Sequence, residues 1–343
     1  MWAFCGILGL VFASLRPASG ASATHSPANE VEAPPLVTSA GGFWNVPTER
    51  RGVAHRIRSD FLIYYFDPRW KLAWGEFGGV PGFLPIGDAP LDLNAGKKVE
   101  IDGYFLPSEQ RILWDRTRAE VLPRTFALSP RVVRQGLTNF AELSGRMVTV
   151  EGLVDAVIAT DPFHRQIRFV ADGVRGRGML LVRRPDAALP DTLDRFVRLT
   201  GVYAETKDVN QRVTDFALWI DDPAGIEVLS SLADDPRFAL APTRIGDFRG
   251  RPRDVLVKVA GEVRSQAVGK GMTVWDDTGQ VQVQSLQATS LKPGDRVEVV
   301  GYPGMEGLES WLRNALFRRI GGPEPGTAAS GVLGTLRLAE RVR

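Results

Sequence analysis

The chain has 343 residues, 44% hydrophobic and 24% charged, a balance that suits globular domains and excludes disorder throughout. Its 42 basic and 40 acidic side chains nearly cancel. Residues 50–122 carry 11 positive and 10 negative charges, 142–229 carry 11 and 14, and 254–320 carry 8 and 8; none has the basic excess that phosphate neutralisation needs, which speaks against nucleic acid as the main ligand.

The amino terminus reads as an export signal. Trp2 to Leu15 is an apolar run with small residues, shorter than the ~20 residues of a bilayer span. Ala21-Ser22-Ala23 follows as a cleavage pattern, although no Lys or Arg precedes the run. Residues 1–23 are therefore expected to be a signal peptide, and the mature protein periplasmic or secreted. The single cysteine, Cys5, lies in that segment, so a disulfide or a thiolate metal site is not expected in the mature chain. Residues 24–44 are rich in Pro, Ser, Ala and Thr at first and predict a flexible leader. No other stretch approaches 18 uninterrupted apolar residues, so no membrane span is expected.

A repeat of about one hundred residues then organises the chain. Lys98-Val99-Glu100-Ile101-Asp102-Gly103-Tyr104, Phe196-Val197-Arg198-Leu199-Thr200-Gly201-Val202-Tyr203 and Arg296-Val297-Glu298-Val299-Val300-Gly301-Tyr302 share one phrase, and their glycines stand 98 and 100 residues apart. Apolar residues alternate before each glycine, the period of a strand with one buried face. Val148–Val154 matches Val257–Val263 as an opening strand, and closing strands are expected at Arg111–Leu122, Thr214–Ile220 and Leu312–Ile320. Met272–Val283 is two alternating runs around a turn that ends in Gly279, a hairpin signal. Linkers repeat too: Arg124–Pro130 resembles Arg237–Pro242, and short helices are expected at Leu137–Leu143 and Thr243–Phe248.

The expected fold is all-β: three tandem OB-like five-stranded barrels joined by linkers with short helices. Barrel 1 would span 45–122, a linker helix and barrel 2 123–229, and a linker helix and barrel 3 230–320. Residues 321–343 would be a flexible tail that resembles the lead-in of a further unit, as in a chain truncated at Arg343. Val148–Gly152, Val257–Gly261, Trp275-Asp276-Asp277-Thr278-Gly279 and Pro293–Gly301 resemble the OB-like arrays in the periplasmic sensor region of bacterial two-component (hybrid) histidine kinases. The resemblance covers roughly residues 45–320 and implies a non-catalytic sensory input module that binds a small molecule, glycan or protein, with a kinase module downstream if the chain is a fragment. No kinase residues are present. Single-stranded nucleic-acid binding and the carbohydrate-binding part of a secreted hydrolase stand as alternatives.

No constellation for catalysis, metal or cofactor stands out. His25, His55 and His164 lack supporting motifs, and Pro162 after Asp161 marks a turn more readily than a metal ligand. Asp221-Asp222-Pro223, Asp234-Asp235-Pro236 and Asp276-Asp277 read as turn and cap residues, not as a calcium loop. The distinctive local feature is the run of eight aromatics from Phe61 to Phe83. One reading is a stacking platform for a ligand, with Tyr64, Arg69, Trp70, Lys71 and Trp74 as binding residues. In the other, Phe61 and Tyr65 fill the barrel while Trp70 and Trp74 cover its end or an inter-unit contact.

Overall fold

A computed structural model describes residues 35–134, 141–207, 210, 213–248, 251–306 and 309–321. The chain divides into two compact units, one ending at Asp234 and the other beginning at Asp235. The expected signal peptide, the leader up to residue 34, the tail from 322 and most of the helix at Leu137–Leu143 lie outside the described residues. No described helix is long and apolar enough to cross a membrane.

The first unit opens with α1 (Ala40–Trp44), followed by β1 (His55–Asp67), β2 (Leu72–Phe77), β3 (Val80–Phe83), β4 (Lys98–Leu106), β5 (Arg111–Ile112) and β6 (Arg118–Val121). The sheet runs β3-β2-β1-β4-β5, with β6 also on β4. This is the OB strand order with one seam open, because β3 and β5 do not pair. The linker between the barrels approaches β3 at that seam. Gly145 has φ +76, and a Cβ there would lie 2.6 Å from the Gly82 Cα, so only glycine fits.

The leader expectation requires correction from residue 35 onward. Val37 bridges in parallel to Ile57, while Ala40, Phe43 and Val46 are buried in the core of the first barrel. Phe43 stacks on Phe105 at 4.4 Å. Five residues of helix cannot stand alone in water; here one apolar face caps the barrel, and Ser39 accepts the Gly42 amide as N-cap.

The second sheet contains β7 (Arg131–Val133), β8 (Met147–Asp161), β9 (His164–Ala171), β10 (Val174–Leu181), β11 (Arg195–Lys207), β12 (Val213–Ile220) and β13 (Ile226–Ser231). Its ring β8-β9-β10-β12-β11 closes back onto β8, and β10 runs parallel to β12. The second unit closes the same ring from β14 (Val257–Ala267), β15 (Gly271–Asp276), β16 (Gly279–Gln284), β17 (Arg296–Glu306) and β18 (Glu309–Arg319), in the order β14-β15-β16-β18-β17. The parallel pair β16–β18 completes an OB topology. The expected hairpin at Met272–Val283 is present as β15 and β16, and the expected helix at Thr243–Phe248 is a 3₁₀ turn over Ile245–Phe248.

The repeated glycine has a physical cause common to all three sheets. It lies where the fourth barrel strand crosses the closing segment. A Cβ on Gly103 would meet Thr117 at 2.2 Å, on Gly201 the Trp219 carbonyl at 2.4 Å, and on Gly301 the Arg313 carbonyl at 3.1 Å. A parallel strap also precedes each opening strand: Val37 on Ile57, β7 on β8, and Pro242 on Lys258.

Candidate functional site

The aromatic run of the first barrel builds a junction with the second. A bulge in β1 between Ile63 and Tyr65 breaks the period of two. Ile63 and Phe66 stay in the first core, whereas Tyr64 and Tyr65 both join a separate cluster with Leu181 and Val202 of the second barrel. Tyr65 was expected to fill the barrel and instead packs outside it, edge-on to Trp219 at 5.5 Å. Phe61 fills the core as expected. The outer face of β1 and β2, with Leu62, Leu72 and Trp74 on it, is thereby packed against the second barrel.

Two hairpin tips meet at one end of this junction. The β1–β2 tip reads Asp67-Pro68-Arg69-Trp70 and the β8–β9 tip Asp161-Pro162-Phe163-His164. In each, the aspartate accepts the amide two residues on: Arg69 N at 2.9 Å and Phe163 N at 2.8 Å. Equivalent positions then pair across the junction. Arg69 lies 3.3 Å over the Phe163 ring, and Trp70 stacks on His164 at 3.7 Å with an interplanar angle of 17°. The β14–β15 tip, Ala267-Val268-Gly269-Lys270, carries none of these groups.

His164 is 1% exposed and lies between two carboxylates. Its Nε2 bonds Asp67 Oδ2 at 2.9 Å and its Nδ1 bonds Asp161 Oδ2 at 2.7 Å. A carboxylate facing each ring nitrogen suits the doubly protonated imidazole, which donates from both. Burial alone would lower the pKa of His164, but the bonds to Asp67 and Asp161 outweigh it and raise it above the ordinary value. Burial works in the opposite sense on Asp161, yet the Phe163 amide and His164 hold its carboxyl below the usual range. Among the described residues no group of three or more His, Cys, Asp or Glu is arranged to hold a metal ion.

Asp221 forms a second clamp. Its carboxylate accepts the Phe66 amide at 2.9 Å, the Ala95 amide at 3.0 Å and the Arg183 guanidinium at 2.8 Å. Asp222, Asp235 and Asp276 are the cap and turn residues expected from sequence. Asp221 departs from that reading: it is a buried inter-barrel contact.

The five ligand-binding candidates therefore separate. Trp70 and Arg69 meet the facing hairpin, and Trp74 sits edge-on to Phe83 at 5.7 Å in the outer face. Lys71 is exposed at the tip with φ +54. Tyr64 lines a groove of 380 Å³ between the barrels, and its hydroxyl donates to Glu76 there. Burial, with Glu76 beside it, raises the Tyr64 phenol well above its ordinary pKa.

In the third barrel the corresponding face, on β14, β15 and β16, carries Trp275, which is 36% exposed with the Arg264 guanidinium over its ring at 4.7 Å. Gln280 lies opposite Trp275, and Thr273 donates to Gln282 at 3.0 Å. Gln280 and Gln282 border a cleft of 390 Å³ with Thr278, Glu309 and Ser310. Beside it, the buried Trp311 indole N–H has no hydrogen-bond partner among the described residues. Sequence reading missed this face, although the alternation of Gln280, Val281, Gln282 and Val283 marks its outward positions.

No protein-family model matches the chain, and no curated protein does. Solved structures similar to parts of it include the hypothetical protein ygiW from E. coli, at 15% identity and TM-score 0.21 over 24% of this chain and 92% of that one. The p204 HINb domain matches at 15% identity and TM-score 0.21, covering 50% and 95%. A murine DNA-binding protein bound with double-stranded DNA matches at 14% and TM-score 0.22, covering 52% and 98%. The OB assignment rests on the strand order of the sheets themselves.

Proposed function

We propose that this chain is a non-catalytic binding module, the extracytoplasmic input region of a bacterial sensor, and that its third barrel carries the ligand face. The observation behind this reading is Trp275, an exposed indole among amide and hydroxyl side chains. The equivalent face of the first barrel is spent on packing. An aromatic plate beside Gln280, Gln282 and Thr278 suits a neutral, hydroxyl-rich ligand such as a glycan, since the ring covers the apolar side of a sugar and the amides meet its hydroxyls. The charged groups are one of each sign, Arg264 over the Trp275 ring and Glu309 on the wall of the cleft, so the face has no basic excess to offer a polyanion.

The test is an oligosaccharide panel titrated against the whole protein and against Trp275→Ala. Loss of the stacking contact is expected to weaken binding roughly tenfold to a hundredfold, about 1.4–2.8 kcal/mol. An unchanged affinity would move the ligand off this face. Arg168 and Arg177, which pair across β9 and β10, favour a second reading, single-stranded nucleic acid on the second barrel, although Asp155 lies 3.8 Å from Arg168. A salt-sensitive gel shift of an oligonucleotide, abolished by Arg168→Gln with Arg177→Gln, would select that reading.

A further inference from the structure

We propose that the groove between the first two barrels is a binding site for a zwitterion of amino-acid or short-peptide size. The site lies in the other unit from the Trp275 face and does not depend on it. Its volume of 380 Å³ is in the range of small-molecule pockets. Glu76 and Tyr64 from the first barrel form one wall, while Arg131 and Arg146 come from the strap and linker of the second. Leu62 and Met147, both packed on the junction cluster, provide apolar surface between them.

Chemistry narrows the ligand. Glu76 is fixed by the phenol of Tyr64, a residue about nine-tenths buried, which leaves its second carboxylate oxygen available to a cation. The Arg146 Nε donates to the Glu142 carbonyl at 3.0 Å, which orients the guanidinium and leaves its two terminal nitrogens for an anion. Among the described residues no ion pair joins Glu76 or Glu142 to Arg131 or Arg146. Two carboxylates and two guanidinium groups thus face one groove with net charge near zero. A polyanion would meet Glu76 and Glu142; a purely apolar ligand would desolvate four charges without compensation. A molecule with an ammonium, a carboxylate and an apolar body satisfies all three surfaces. The walls belong to different barrels, so occupancy would also reinforce their docking.

Calorimetric titration of the whole protein tests this with leucine and leucyl-leucine as probes, beside their N-acetyl and carboxamide derivatives. One zwitterion is expected to bind, each blocked form at least roughly tenfold more weakly. The free amino acid and the dipeptide separate the two sizes of ligand. Glu76→Gln keeps a partner for Tyr64 and should weaken the unblocked amine selectively; Arg146→Gln should weaken the free carboxylate selectively. Trp275→Ala should leave both affinities unchanged, which separates this site from the glycan face. Melting curves that match the parent protein establish that the variants fold. Absence of heat from both zwitterions at millimolar concentration overturns the proposal, as does equal binding of the blocked forms.

Discussion

His164 shows how one side chain can hold two domains together. It is buried between Asp67 and Asp161, and removing the imidazole leaves Asp67, a fully buried side chain, with only the Arg69 amide as a partner among the described residues. His164→Gln should therefore destabilise the first unit by about 3–5 kcal/mol, measured by chemical denaturation. The pH dependence has two limbs. The pKa of His164 is raised by folding, so its contribution is complete below the unfolded value near 6.5 and is lost as pH rises through the folded value. Asp161 is lowered, so its contribution is present above about 4 and lost as pH falls through its folded value. Arg165, which donates to the Asp161 and His164 carbonyls, and Arg69 over the Phe163 ring are further charges at this tip. The junction should be firmest between about pH 4 and 6.5, and His164→Gln should flatten the alkaline limb. Tyr65 gives the opposite kind of prediction. Its buried hydroxyl has no hydrogen-bond partner among the described residues, so Tyr65→Phe should leave the melting temperature unchanged or raise it.

At the scale of elements, α1 and its strap decide whether the barrel core begins near residue 35 or near 50. Phe43 is buried against Phe77 and Phe105, so Phe43→Ala should cost about 3–5 kcal/mol in denaturant unfolding, whereas a flexible leader would lose nothing. The composition of residues 24–44 hid this, because Val37, Ala40 and Phe43 are three apolar residues scattered among Pro, Ser and Gly, too few to set a period. The strands were legible for the converse reason: Val297 and Val299, or Val281 and Val283, alternate over a buried face. A bulge leaves no mark on composition, so the outward turn of Tyr65 was not legible. The docked tips were legible in principle. Asp-Pro-x-aromatic occurs at Asp67 and again at Asp161, close to the repeat length, and the pairing of like positions explains why both copies keep it. The role of Asp221 was not, since its partners include backbone amides from residues 66 and 95, contacts that only the fold creates.

For the whole molecule, the same barrel is used in two ways. In the first unit two barrels share the junction cluster, the His164 bridge and the Asp221 clamp, so separating them would expose Tyr65, take His164 from Asp67 and take the Phe66 and Ala95 amides from Asp221. These two barrels should unfold as one cooperative body. The third barrel has its own closed ring and its own core, from Ile245 through Val259 and Val299 to Phe317. Its hairpin tip lacks the Asp-Pro pair and its outer face keeps Trp275 exposed. Scanning calorimetry of the protein should accordingly resolve two transitions. His164→Gln should lower only one of them, and Val299→Ala, a cavity in the third core, only the other. A single transition that both substitutions shift together would mean that the barrels act as one body, and that a ligand on Trp275 would be felt at the His164 junction.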